Sequence, residues 1–142
     1  MADGIVSTTA ATLDQAYEEA MTMLVDARDF ARDHKHEMDG LEADQRLRLS
    51  QYTMQVTARL TQVMAWLMAS KAVANGEMST DQLNQEYALP EEGTLPGADP
   101  DMLEREKADR EITPTRLADL MDRSRSLYQR IARLDQQARA AN

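Results

Sequence analysis

Core-facing residues recur at intervals of three and four along three stretches of this chain, which is the spacing of one face of an α-helix. Polar and charged residues occupy the positions between them. The pattern therefore predicts three long amphipathic helices, at residues 12–37, 41–75 and 113–140. The rows are Leu13, Tyr17, Ala20, Leu24, Ala27 and Ala31, then Leu49, Tyr52, Val56, Leu60, Val63 and Leu67, and finally Leu117, Leu120, Ser124, Leu127, Ile131, Leu134 and Ala138.

Residues with preferences for helix ends stand at the predicted boundaries. Thr12 precedes the first row and acidic residues follow it, as expected of an N-cap at the positive end of a helix dipole. Asn75-Gly76 follows the second helix and is typical of a C-terminal stop. Thr113-Pro114 opens the third helix, with Thr as N-cap and Pro at the first helical position.

The segments outside these helices are polar or rich in helix breakers. Residues 1–11 are small and polar and predict a flexible N-terminus. Ser79 is placed to cap one short helix at residues 81–87. Residues 88–112 are acidic, hold three of the four prolines, and predict a long connection that is partly helical or mobile. Because the first two long helices are joined by a short link, we expect residues 1–142 to form one all-α domain, an antiparallel three-helix bundle.

The second long helix is more apolar than a bundle of this size requires. Up to Leu60 its apolar residues form one row, but beyond Leu60 they occupy more than one face. Two neighbouring helices cover only part of such a surface, and methionine suits adaptable contacts. We therefore predict a partner or dimer interface here, with a purely core role as the alternative. Its predicted residues are Val63, Met64, Trp66, Leu67, Met68 and Val73.

Composition and charge narrow the classes of protein that this chain can belong to. The net charge of −9 argues against binding to duplex nucleic acid, which requires a basic face. There is no cysteine, so disulfides and thiolate metal sites are excluded. The N-terminus lacks the basic and apolar segments of a signal peptide, and no apolar run reaches the roughly 18 residues of a membrane span. We expect a soluble, cytoplasmic protein with no membrane or nucleic-acid partner.

No arrangement of side chains in the sequence predicts catalysis. His34 and His36 have acidic neighbours, but two residues apart on a helix they point about 200° away from each other. A solvated helix end accounts for them better than a metal site does. The sequence has neither a cysteine nucleophile nor a glycine-rich phosphate loop. We predict that the protein is not an enzyme and requires no cofactor and no metal.

Two stretches of the sequence resemble a known protein family. The long helix contains RLTQVMAWLMASKAVANGEMS at residues 59–79, with SQYTMQVTARLT beginning at residue 50. The last helix contains TPTRLADLMDRSRSLYQRIARLD at residues 113–135. These stretches resemble the family called regulator of CtrA degradation, formerly a domain of unknown function. The first helix is similar to that family in its pattern alone.

The resemblance implies an adaptor. Proteins of that family are small three-helix proteins that dimerise and act in regulated proteolysis of the bacterial cell cycle. They join cargo proteins, including a master response regulator, to the ATP-dependent protease ClpXP, which a priming protein has prepared. The resemblance therefore implies a homodimer whose partners are the protease complex, its priming protein and the cargo. Better-studied members carry a polar tail beyond the third helix, whereas this sequence ends at Asn142, so delivery through such a tail is not expected.

A second function follows from the arginines of the third helix. These arginines either form an ordinary solvated face or bind an anionic partner. In the second case the protein would be a structural or transcription-linked helical scaffold. Salt dependence separates the two functions, because binding through arginines weakens with ionic strength and apolar contacts hardly change. The arginines are Arg116, Arg123, Arg125, Arg130, Arg133 and Arg139.

Overall fold

The computed structural model describes residues 2–140, with side chains from residue 10 onward. Within these residues the chain forms six α-helices, one short 3₁₀ helix at Glu92–Thr94 and no strand, so the predicted all-α class is confirmed. None of the described helices is both long and apolar enough to cross a bilayer. The α-helices are α1 (Ala2–Asp33), α2 (Lys35–Met38), α3 (Ala43–Ala74), α4 (Thr80–Glu86), α5 (Met102–Ala108) and α6 (Thr115–Ala140).

The first long helix starts earlier and stops sooner than the sequence predicted. α1 begins at Ala2, so Thr12 lies inside the helix and does not cap it. The helix breaks at His34, and one further turn, α2, follows the break. The side chains up to residue 9 lie outside the described part, and the flexibility predicted for residues 1–11 stays a prediction.

α3 and α6 lie close to their predicted positions, but the contacts at their ends differ from the predicted ones. α3 opens with a capping box, in which the Glu42 backbone N–H donates to Gln45 Oε1 at 2.9 Å. It ends before Gly76, whose φ of 76° lies in the left-handed region that glycine tolerates. α6 begins at Thr115, and the Thr113 hydroxyl donates to the Asp109 carbonyl at 2.7 Å instead of capping α6. Ser79 caps α4 as predicted, accepting from the Gln82 N–H at 3.1 Å.

The three long helices pack against one another in all three pairs. Every residue of the row predicted for the second helix, from Leu49 to Leu67, is buried. In α1 the buried row lies slightly to one side of the predicted one, because Met23 and Phe30 fill the core while Ala31 is exposed. The buried residues of α1 are Leu13, Ala16, Ala20, Met23, Ala27 and Phe30.

α3 and α6 run parallel, and the antiparallel arrangement predicted for this pair is wrong. Arg59 contacts Ser124 at 3.2 Å and Trp66 contacts Asp135 at 3.0 Å, so residue numbers rise together along the two helices. The physical reason is the long connection, residues 75–114. It returns along the length of α3, so that α6 begins at the same end of the molecule as α3.

The connection is anchored at both ends of α3. The Asp109 carboxylate accepts hydrogen bonds from Arg48 and Tyr52 near the start of α3. At the other end, the Leu89 N–H donates to Asp135 on α6 at 3.2 Å. The connection therefore covers a side of α3 that neither α1 nor α6 reaches.

Candidate protein-binding surface

Half of the predicted interface residues lie inside a single chain. Val63 and Leu67 have no exposed surface, and Trp66 is 4% exposed. The Trp66 indole N–H donates to Asp135, whose other carboxylate oxygen accepts the Leu89 N–H. A partner cannot contact these three residues without opening the core, so this part of the predicted interface is corrected.

These residues are buried because α4 and the connection also pack against α3, which the periodicity of the sequence did not predict. The sequence predicted only two helices packed against α3, which would leave part of its apolar surface exposed. In the structure α4 packs against the end of α3, where Leu83 and Ala69 are both buried. The connection adds to this cover through Leu95, which is also buried. Most of the extra apolar surface is therefore used within the chain.

The other predicted residues lie at or near the surface. Met68 is 58% exposed, whereas Met64 and Val73 are half-buried and pack against the core. A role for these three side chains in partner contact stays a prediction.

Met68 belongs to an outward row of α3 that the sequence interpretation missed. Leu47, Met54 and Met68 are all more than half exposed, at 63%, 52% and 58%. With Thr61 they follow one another at intervals of seven, so they share one side of the helix. We call these four residues the outer stripe of α3. The heptad spacing was the signal in the sequence that could have identified it.

Polar groups on the outer stripe and beside it are satisfied within α3. The Thr61 hydroxyl donates to the Thr57 carbonyl at 2.8 Å, and the Thr57 hydroxyl donates to the Thr53 carbonyl at 3.2 Å. These side chains therefore present methyl groups without leaving a hydroxyl donor unpaired. Such a surface suits an apolar partner.

α1 extends this surface beside the C-terminal half of α3. Lys71 of α3 forms an ion pair with Asp14 at 2.8 Å, which sets an antiparallel register between the two helices. Two turns further along α1, Met21 is level with Met64 in this register. Met21 and Val25 are 39% and 40% exposed. We call Met21, Val25, Met64 and Met68 the α1–α3 edge.

The arginines of α6 are largely neutralised by carboxylates of the same chain. Arg130 pairs with Glu19 and Arg123 with Asp26, both on α1. Arg125 and Arg139 also form ion pairs, with Glu106 and Asp135. The Arg116 guanidinium lies 5.8 Å from the Phe30 ring centroid. Little of this charge is left to attract an anionic partner.

The two histidines make separate contacts, His34 at the break between α1 and α2 and His36 within α2. The His34 Nδ1 lies 2.7 Å from the Ala31 carbonyl, and its ring stacks on Phe30. His36 is exposed at the helix end, 4.0 Å from Asp39. In the part of the chain that the structure describes, no group of His, Asp and Glu side chains is arranged to hold a metal ion.

Burial and hydrogen bonding shift the pKa values of several groups that hold the connection. Burial raises the pKa of the Tyr52 hydroxyl, and its hydrogen bond to Asp109 raises it further. Burial also raises the pKa of Tyr128 to about 12, and this hydroxyl donates to the Pro90 carbonyl. Both tyrosines therefore stay protonated as donors at neutral pH and serve as structural anchors.

Comparison with known proteins agrees with the resemblance found in the sequence. The chain is similar to a solved structure described as RcdA from Caulobacter crescentus CB15, with 26% identity and a TM-score of 0.65. The similarity covers 89% of each chain. No curated protein matches. The resemblance to regulators of CtrA degradation is thereby confirmed. A family model described as "Protein of unknown function (DUF1465)" matches residues 6–142, and this chain belongs to that family.

Proposed function

We propose that this protein is a non-catalytic, cytoplasmic adaptor that links cargo proteins to the ClpXP protease in cell-cycle-regulated proteolysis. The observation that carries the proposal is the similarity to RcdA over 89% of both chains. The surface of the molecule supports it, because the outer stripe offers apolar contacts at a face that the chain leaves open. Its partners are the protease complex, the priming protein and the cargo.

We further propose that the working form is a homodimer that joins through the outer stripe and the α1–α3 edge. Met68 lies in both surfaces and is the exposed member of the predicted interface. Met64 and Val73 border it, while Val63, Trp66 and Leu67 support the helix from within. A heptad row on one helix is self-complementary when two copies meet about a twofold axis.

Met68→Asp tests the dimer. We expect a folded monomer, because a carboxylate within an apolar interface is costly to bury without a partner. Light scattering after size exclusion at tens of micromolar should give half the wild-type mass. Leu103→Asp is the matched control, because Leu103 is 56% exposed, lies on α5 and belongs to neither surface. A monomeric wild type, or a dimeric Met68→Asp variant, would contradict the proposal.

Met68→Asp is a cleaner test than Met64→Asp. Met64 is half-buried against the core, so an aspartate there would weaken the fold as well as any interface. If Met64→Asp abolished assembly, the cause could be a weakened fold or a lost interface. For Met68→Asp, circular dichroism should show an unchanged fold, so loss of assembly would be due to the interface.

A reconstituted degradation assay tests the function itself. Purified ClpXP, the priming protein and a response-regulator cargo are combined with and without this chain, and cargo loss is followed over time. We expect faster degradation with the wild type and with Leu103→Asp than without the chain. Equal rates with and without the chain would refute the adaptor role even if the protein dimerises.

The alternative scaffold function has less support. An anionic partner would compete with the intrachain carboxylates that pair with Arg123, Arg125, Arg130 and Arg139. We therefore propose only the adaptor.

A further inference from the structure

Residues 91–111 are the part of the connection that includes the 3₁₀ helix and α5, and they make little apolar contact with the rest of the chain. We call these residues the strap. Four of its residues are buried, and two of the four are the acidic residues Glu106 and Asp109. The other two are Leu95 and Met102, of which only Leu95 belongs to the hydrophobic core cluster. Because burial of apolar surface is the main stabilising contribution to folding, the strap is weakly stabilised.

Side chains hold the strap against the long helices. In the described part of the chain, no backbone hydrogen bond joins the strap to α3 or α6. Ion pairs and hydrogen bonds between side chains make the attachment instead. They join Arg125 to Glu106 and Glu92, Asp109 to Arg48 and Tyr52, and Arg110 to Asp122. When such pairs separate into water both partners are solvated, so opening costs less than removing one partner from the closed form.

The contact beneath the strap is loosely packed and contains unpaired polar atoms. A cavity of about 270 Å³ lies between the strap, Gln55 and Arg59 of α3, and Arg125 of α6. Among the described side chains, five buried polar atoms have no hydrogen-bond partner, and four of them belong to this contact. They are Gln55 Nε2, Glu92 Oε1, Arg105 Nε and Arg125 Nε. Burial of unpaired polar atoms costs free energy, and solvation on opening removes that cost.

We propose that the strap is a lid, which opens as one unit from the polar side of α3 while the long helices stay folded. Few buried apolar residues and many exposed ones are typical of segments that open below the free energy of global unfolding. Opening exposes Gln55 and Arg59, which are 2% and 3% exposed when the strap is closed. The closed and open forms therefore present different surfaces of α3 to a partner.

Hydrogen exchange of the full chain, followed by mass spectrometry, tests the lid. In the wild type the strap amides should exchange about tenfold or more faster than the amides in the middle of α3 and α6, and more slowly than those of an unfolded chain. Low concentrations of urea should accelerate the strap amides less than those of α3 and α6, because opening exposes less surface than global unfolding does.

Two substitutions on α5 form a matched pair. Glu106→Gln removes the charge that Arg125 pairs with at 2.9 Å and leaves this guanidinium half-buried in the closed form. It should therefore accelerate exchange of the strap amides by about tenfold. Glu104 is exposed on the same helix and lies 3.7 Å from the exposed Lys107. Glu104→Gln should leave the strap amides close to the wild-type rate.

Ile131→Val separates opening of the strap from global unfolding. Ile131 is buried and lies with Ala16 at the contact between α6 and α1. Because this contact stays packed when the strap opens, the substitution should accelerate exchange in α3 and α6 by about threefold or more and leave the strap amides unchanged.

Four results would overturn the proposal. The first two are a common exchange rate for the strap and α3, and exchange of the strap as fast as in an unfolded chain. The others are strap amides that Glu106→Gln does not accelerate, and equal acceleration of all amides by Ile131→Val.

Discussion

Asp109 shows how much one side chain contributes to the position of the connection. Its carboxylate accepts from Arg48 Nε at 2.8 Å, Arg48 Nη2 at 3.1 Å and the Tyr52 hydroxyl at 2.6 Å. The hydrogen bonds from Arg48 are the largest cause of the lowered pKa of Asp109, and the Tyr52 bond adds to it. A connection predicted to be partly helical or mobile is thus fixed to the first half of α3 by one ionised group.

Asp109→Asn should lower the free energy of unfolding by about 2 kcal/mol at pH 7, because an amide cannot replace three charge-assisted hydrogen bonds. Urea unfolding measures this loss. Glu111→Gln is the control, because Glu111 is exposed in the same segment, and it should change stability little.

The pH dependence of stability gives a second measurement on the same variant. The folded state lowers the pKa of Asp109 from its ordinary value of 3.8. The ionised carboxylate therefore stabilises the fold above that value, and this contribution is lost as the pH falls below it. The wild type should lose more stability between pH 7 and about pH 3 than Asp109→Asn does. Equal losses would mean that Asp109 is not a stabilising acid.

At the scale of elements, the sequence was most informative where a helix buries one continuous row. Leu49 to Leu67 on α3 and Leu117 to Ile131 on α6 were identified correctly, because a period of three and four leaves little choice of buried face. The direction of α6 was not identified, because periodicity specifies a face and says nothing of orientation. The role of the connection was missed for a related reason. Its anchors, Asp109 and Leu89, act through contacts with residues far away in the sequence.

Gly97→Ala should destabilise the connection by about 1–2 kcal/mol, because Gly97 has a φ of 85° and an L-residue is strained there. An added Cβ would also lie 3.4 Å from Gln55 Cγ and 3.5 Å from the Gln51 carbonyl oxygen. Thermal unfolding should report the loss. Gly93→Ala is the matched control, because a Cβ at Gly93 meets nothing within 4 Å. Equal effects of the two substitutions would contradict this account.

At the scale of the whole molecule, the structure separates residues that hold the chain together from residues open to a partner. Trp66 was predicted to lie at an interface and is instead buried between α3, α6 and the connection. Met68, only two residues later, is exposed. The same stretch of α3 thus supplies the core with one face and the outer stripe with another.

Trp66 is the only tryptophan, and its fluorescence distinguishes the two faces. Diluting the protein through the proposed dimer dissociation should leave its emission maximum unchanged, because Trp66 is covered within one chain. Unfolding in urea should shift the emission to longer wavelength. A shift to longer wavelength on dilution alone would place Trp66 at the subunit contact and contradict the structure.

The parallel pairing of α3 and α6 has a consequence for the order in which the chain folds. An antiparallel helix pair can close progressively from its turn, because its first contacts join neighbouring residues. Here the contacts of α3 with α6 join residues 65 and 69 positions apart, and Asp109, shortly before α6, lies 61 positions from its partner Arg48. Every contact therefore closes a loop of similar size. α1 and α3 can therefore associate early, while α6 docks in a single late step. During synthesis the face of α3 that receives α6 stays open to solvent until the third long helix has left the ribosome.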